Sequence, residues 1–122
     1  MNKPRILVLE DDVSIRESIV SYLSENFDCF EAKDGPSGLR ITQTVKVDLV
    51  VCDYQMPKMN GQEFFSNLPD TYKEVPKILI TGDLTEIEGL QDDIQVVHKP
   101  FDMDEILDVI STCLLEGYNK GE

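Results

Sequence analysis

Five polar side chains stand just past the ends of the apolar runs of this chain. Glu10 and Asp11 follow Arg5-Ile6-Leu7-Val8-Leu9, and Asp53 follows Asp48-Leu49-Val50-Val51-Cys52. Thr81 follows Lys77-Ile78-Leu79-Ile80, and Lys99 follows Ile94-Gln95-Val96-Val97-His98. A lone charge at the end of a buried strand is costly, so Asp53 is either at an exposed lip or is needed there. Carboxylates sharing one pocket raise each other's proton affinity unless a cation stands between them. A hard divalent cation such as Mg²⁺ takes oxygen ligands and keeps waters of its own. A lysine amine and a threonine hydroxyl complement phosphoryl oxygens. The set suits a metal ion together with a phosphoryl group, with an aspartate as the nucleophilic acceptor. Charge neutralisation and placement, more than acid–base chemistry, carry such a transfer. His98 is the single histidine, which disfavours a histidine-based hydrolase; it is assigned a surface or packing role.

The elements that must position these groups can be read from the pattern. The runs at Arg5–Leu9, Asp48–Cys52, Lys77–Ile80 and Ile94–His98 read as strands, and Phe27–Ala32, partly alternating, reads as one nearer an edge. Ile15, Ile19, Tyr22 and Leu23 have helical spacing, as do Ile106, Ile110, Cys113 and Leu114. Asp34-Gly35-Pro36-Ser37 is a turn that can start a helix bearing Leu39 and Ile41, and Gly61–Leu68 reads as a short helix with Phe64, Phe65 and Leu68. Asp12 can cap the first helix, and Asp102 with Glu105 makes a capping box on the last. Strands apolar on both faces, alternating with helices, imply a doubly wound parallel α/β sheet. Its functional crevice lies at the carboxyl ends of the strands, where these polar groups fall.

Composition bounds the partners. The 122 residues suffice for one domain and carry 41% apolar and 29% charged residues. Twenty-four acids against 11 bases give a net charge of −13, which disfavours nucleic acid or an anionic membrane as a direct partner. Cys29, Cys52 and Cys113 lie in apolar stretches and read as buried free thiols in a reducing compartment. No apolar stretch of membrane length and no signal-peptide pattern is seen, so a cytoplasmic location is expected.

Taken in order, Glu10-Asp11, Asp53, Thr81 and Lys99-Pro100-Phe101, with the stretches "DYQMPKMNG" and "KPF", resemble the receiver domain of two-component response regulators over about Lys3 to Leu115. The resemblance implies a flavodoxin-like (βα)5 sheet in the order 2-1-3-4-5 over residues 1–116; residues 117–122, polar in composition, read as a tail or the start of a linker. It implies that Asp53 is the phosphoacceptor, taking its phosphoryl group from a sensor histidine kinase or a phosphotransfer protein and controlling a downstream protein or fused output domain. Asp11 and Asp53 would hold Mg²⁺ (Mn²⁺ being the alternative), with Glu10 acting through water and the backbone carbonyl of Gln55 as a further ligand. Thr81 would hydrogen-bond the phosphoryl group, and Lys99 would pair with Asp53 through a strand end closed by a cis Lys99–Pro100 bond. Asp12 falls where the family varies. Met56-Pro57 and Asn60-Gly61 would shape the loop over the site. Gln55 and Asp83, two residues beyond Asp53 and Thr81, are expected to tune hydrolysis. The domain would catalyse only its own phosphorylation and dephosphorylation, and would not be an enzyme in the usual sense.

Two departures from the family pattern stand out. Val96 takes the place of an aromatic residue three positions before the lysine. Eighteen positions separate Thr81 from Lys99, leaving room for only a short fourth helix in a segment rich in acids: Asp83, Glu86, Glu88, Asp92 and Asp93. An altered output face and a harmless surface deletion are both consistent with this. Three rival functions are weighed. A haloacid-dehalogenase-type phosphotransferase would place D-x-D after the first strand, and Asp53-Tyr54-Gln55 lacks the second Asp. A nucleotide-binding module would carry a glycine-rich loop there, and none follows. A pseudo-receiver that signals without phosphorylation is the remaining alternative, kept open by Val96.

Overall fold

The computed structural model describes residues 2–87, 89–90 and 93–120, the last four by their helical backbone. Glu88 and Asp92 of the acidic segment, and Gly121 and Glu122 of the expected tail, lie outside the described residues. Five strands form one parallel sheet: β1 (Arg5–Leu9), β2 (Asp28–Ala32), β3 (Leu49–Asp53), β4 (Lys77–Thr81) and β5 (Ile94–His98). Their order is β2-β1-β3-β4-β5, as expected, with β2 at one edge. Among the described residues four α-helices accompany them: α1 (Val13–Leu23), α2 (Gly35–Thr44), α3 (Gly61–Ser66) and α4 (Met103–Lys120). The last helix runs past the boundary drawn at Glu116.

Period-two side chains divide the strands between two cores. Ile6, Val8, Leu49, Val51, Ile78 and Ile80 pack with Ile19 and Leu23 of α1 and with Ile106 and Ile110 of α4. Leu7, Leu9, Val50, Cys52 and Leu79 pack on the other face with Phe64 and Phe65 of α3, and Leu39 and Ile41 of α2 join them. This is the doubly wound arrangement, and it buries β1, β3 and β4 on both sides. Tyr22 donates a hydrogen bond to Asp104, tying α1 to α4.

Each helix begins where a side chain can take up its free N–H groups. Asp12 Oδ1 accepts from Ile15 N at 3.0 Å, and Asp34 Oδ1 accepts from Ser37 N at 2.8 Å. Asn60 and Glu63 form a reciprocal capping box on α3. Asp102 Oδ1 accepts from Glu105 N at 2.8 Å at the start of α4.

Between β4 and β5 the short fourth helix is reduced further than its length suggested. Among the described residues the segment holds one 3-10 turn, Leu84–Glu86, capped by Asp83. Where a crossover helix would cover the α3 side of β5, Ile87 and Leu90 pack part-buried instead. Val96 on that side is 36% exposed. Among the described residues, no helix is long and apolar enough to cross a membrane.

Candidate functional site

The carboxyl ends of β1, β3, β4 and β5 meet at one rim, and the backbone there is locked from strand to strand. Glu10 N donates to Ala32 O at 3.1 Å, Tyr54 N to Ile80 O at 2.8 Å, and Lys99 N to Thr81 O at 2.8 Å. The loop after β3 is folded back by Gly61 N donating to Tyr54 O at 2.8 Å. A Cβ on Gly61 would lie 2.7 Å from the carbonyl oxygen of Asp53, so only glycine lets α3 start this close to the strand end. The Lys99–Pro100 peptide is cis.

This frame gathers the predicted residues. Glu10, Asp11 and Asp53 each offer an oxygen within 4.8 Å of the others. Lys99 Nζ stands 2.7 Å from Asp53 Oδ1. Glu10 and Asp53 are buried and Asp11 is exposed. Together with Gln55 they line an open cleft of about 570 Å³. Thr81 is also at the rim, but it is buried and its hydroxyl is engaged. Thr81 Oγ1 donates to Asp83 O and accepts from Asp83 N, both at 3.1 Å. Asp83 itself faces the turn, where its carboxylate accepts from Thr85 N at 2.9 Å and Thr85 Oγ1 at 2.6 Å. Val96 and His98 are exposed on β5. The three cysteines are free thiols, Cys52 and Cys113 buried and Cys29 half-buried.

The electrostatics follow from crowding three carboxylates at a buried strand end. Burial pushes Glu10 up to about 7, opposed by the Asp12 N–H bonded to its carboxylate at 3.1 Å and reinforced by the charge of Asp53. Burial also raises Asp53; Lys99 pulls it back, Asp11 adds repulsion, and the Gln55 N–H lowers it again. Burial disfavours the Lys99 charge, yet Asp53, Glu10 and Asp11 outweigh it and hold the ammonium above its ordinary range. Asp53 Oδ1 is enclosed and has no hydrogen bond of normal geometry, only the Lys99 ammonium opposite it. A buried carboxylate oxygen in that condition, with two further carboxylates beside it, fits a hard divalent cation.

Several side-chain pairings that shape the site and its scaffold were not legible in the sequence. Arg16 Nη1 donates to Glu10 O at 2.7 Å while its Nε pairs with Glu31 at 3.1 Å, bracing the end of β1. Lys58, in the left-handed region at φ 76°, pairs with the buried Asp34 at 3.2 Å and pins the loop after β3 to the start of α2. Gln55 Nε2 donates to Glu86 at 3.0 Å. At the opposite end of the sheet the buried Lys77 donates to Tyr72 O and Val75 O, both at 2.8 Å, and so serves the scaffold. An Arg or Lys at helical spacing carries no sign of which distant carbonyl it will reach.

Comparison with known proteins agrees with this geometry. The family model described as response regulator receiver domain matches residues 6–111. The chain is 33% identical over 112 residues to hybrid signal transduction histidine kinase D of Dictyostelium discoideum, covering 87% of this chain and 7% of that protein. It is 36% identical over 107 residues to the uncharacterized transcriptional regulatory protein YcbL of Bacillus subtilis, covering 82% of this chain and 46% of that one. It therefore spans less than half the length of either relative. The structure of the Francisella response regulator 1452 receiver domain superposes with a TM-score of 0.79 at 31% identity, covering 93% of this chain and 98% of the other. The rim of acids, hydroxyl and lysine, the sheet order and these matches together place the chain in the response regulator receiver domain family of two-component signalling.

Proposed function

We propose that Asp53 accepts a phosphoryl group and that the domain switches its contacts in response. The observation that carries this is the Asp53 Oδ1 oxygen: buried, without a hydrogen bond of normal geometry, and 2.7 Å from the Lys99 ammonium. A carboxylate so placed keeps its lone pairs available, and Lys99 favours its ionised, nucleophilic form. In the transfer, a carboxylate oxygen of Asp53 forms a bond to phosphorus as the bond from phosphorus to the donor breaks. A phosphohistidine donor leaves as histidine and Asp53 becomes an aspartyl phosphate. Lys99 stays paired to the acceptor or moves to a phosphoryl oxygen, offsetting charge that would otherwise face Glu10 and Asp11.

Asp11, Asp53, Glu10 and the Gln55 carbonyl are the groups that would hold Mg²⁺, which when bound supplies positive charge against the carboxylates and the phosphoryl oxygens. Thr81 can donate to the phosphoryl group only by giving up the Asp83 carbonyl. That exchange would shift the Leu84–Glu86 turn, so the turn, rather than an aromatic residue at Val96, is the element whose position reports phosphorylation. A sensor kinase or phosphotransfer protein in the cytoplasm is the expected donor, and a downstream protein or attached output domain the reader.

Intact-mass measurement after incubation with Mg²⁺ and acetyl phosphate tests the reading. One phosphoryl adduct is expected on the wild type, absent from Asp53→Asn and absent with chelator. A folded wild type that takes no adduct from acetyl phosphate or from phosphorylated histidine kinases would overturn it.

A further inference from the structure

The Gln55–Glu86 bond joins residues 31 apart, linking the loop after β3 to the turn after β4. Gln55 lines the Asp53 cleft and Glu86 does not. The bond therefore draws the amide end of Gln55 toward a carboxylate outside the cleft. Of the two described acids at this turn, Asp83 is committed to Thr85 and Glu86 alone reaches Gln55. We propose that Glu86 is a positioning residue for dephosphorylation: it holds the Gln55 amide clear of the cleft and so keeps a path open for water to an aspartyl phosphate. The inference rests on Asp53 being the phosphoacceptor.

In that hydrolysis the water oxygen bonds to phosphorus and the bond from phosphorus to Asp53 breaks. Asp53 returns as a carboxylate, and the water protons leave with inorganic phosphate and solvent. With Glu86 removed, nothing described holds the Gln55 amide outside the cleft. A side chain of that length folding back over Asp53 excludes the attacking water and lengthens the life of the phosphoryl group.

The test is the half-life of the Asp53 adduct, generated with acetyl phosphate and followed by intact mass after the donor is removed. Glu86→Ala is expected to lengthen it about threefold, the scale set by one exposed hydrogen bond. Glu86→Gln, whose amide oxygen accepts the same bond, should restore the wild-type value. In a Gln55→Ala background, Glu86→Ala should have no further effect, because the two act as one unit. A second readout needs no phosphorylation: the side-chain NH₂ resonances of Gln55 should move in Glu86→Ala and hold in Glu86→Gln. An adduct with an unchanged or shortened half-life in Glu86→Ala overturns this inference alone, as does a lengthened half-life that persists without Gln55. No adduct on the folded wild type, from acetyl phosphate or from phosphorylated histidine kinases, overturns the phosphoacceptor reading, and this inference falls with it.

Discussion

Lys99 Nζ stands 2.7 Å from Asp53 Oδ1, and that buried oxygen has no hydrogen bond of normal geometry. The ammonium is about one-third exposed while the carboxylate is enclosed, so the pair is open on one side only. The lysine occupies the site as a cation in its own right. It competes electrostatically with any second cation brought in by Glu10 and Asp11.

Lys99→Met should therefore tighten Mg²⁺ binding while reducing phosphoryl uptake. The tightening should be about tenfold, the order expected for removing one partly solvated charge near a divalent ion. Isothermal titration calorimetry with MgCl₂ reads it directly. Weaker binding in the variant would mean that Lys99 orders the ligands rather than opposing the metal.

Stability without metal should depend on pH with an unusual sign. Glu10 holds its proton to about pH 7 in the folded chain, against an ordinary value of 4.5. Between those values the native state binds more protons than the unfolded one, so stability falls as pH rises through the window. The loss attributable to Glu10 should be about 3 kcal/mol by pH 8. Urea melts in chelator at pH 5, 6, 7 and 8 measure it, and Glu10→Gln should flatten the trend. An equal slope in that variant would assign the effect to other groups.

The opposite sign applies to Asp34. Its carboxyl is held down to about 2, chiefly by the Ser37 N–H, with Lys58 adding to the effect. The stability it confers is present above pH 4 and is lost as pH falls toward 2. Asp34→Ala removes the cap of α2 and the Lys58 pairing at once, for a cost of about 1–2 kcal/mol at neutral pH. Thermal melts at pH 7 and pH 2.5 should show the variant and the wild type converging in acid.

Gly61→Ala should damage the site through the backbone. The added methyl would meet Leu79 Cδ1 at 2.6 Å and the Asp53 carbonyl at 2.7 Å. Leu79 can shift; the strand end cannot do so without moving Asp53. A cost of about 1–3 kcal/mol is expected from overpacking, together with slower phosphorylation by acetyl phosphate. Full stability with unchanged phosphorylation would show that the loop after β3 has more room than the structure gives it.

The sheet and the rim of the cleft were legible in the chain because their signals are local. Runs such as Ile6–Leu9 and Leu49–Cys52, apolar at consecutive positions, can be satisfied only by burial on both faces, which a parallel sheet between helices provides. Strand ends, caps at Asp12 and Asp34, and the glycine after Asn60 are likewise local, and a parallel sheet sends every carboxyl end to one side. That geometry alone makes Glu10, Asp11, Asp53, Thr81 and Lys99 neighbours. The tertiary structure alone decided which long side chain reaches which distant partner. Arg16 on the Glu10 carbonyl, Lys58 on Asp34, Lys77 on the carbonyls before β4, and Gln55 on Glu86 are set by packing between elements, and no periodicity encodes them. The segment between β4 and β5 shows the same limit. Its shortness was visible in the residue count, but the 3-10 turn at Leu84–Glu86, the one helical turn among its described residues, is anchored by Asp83, which holds Thr81 through its backbone and Thr85 through its carboxylate.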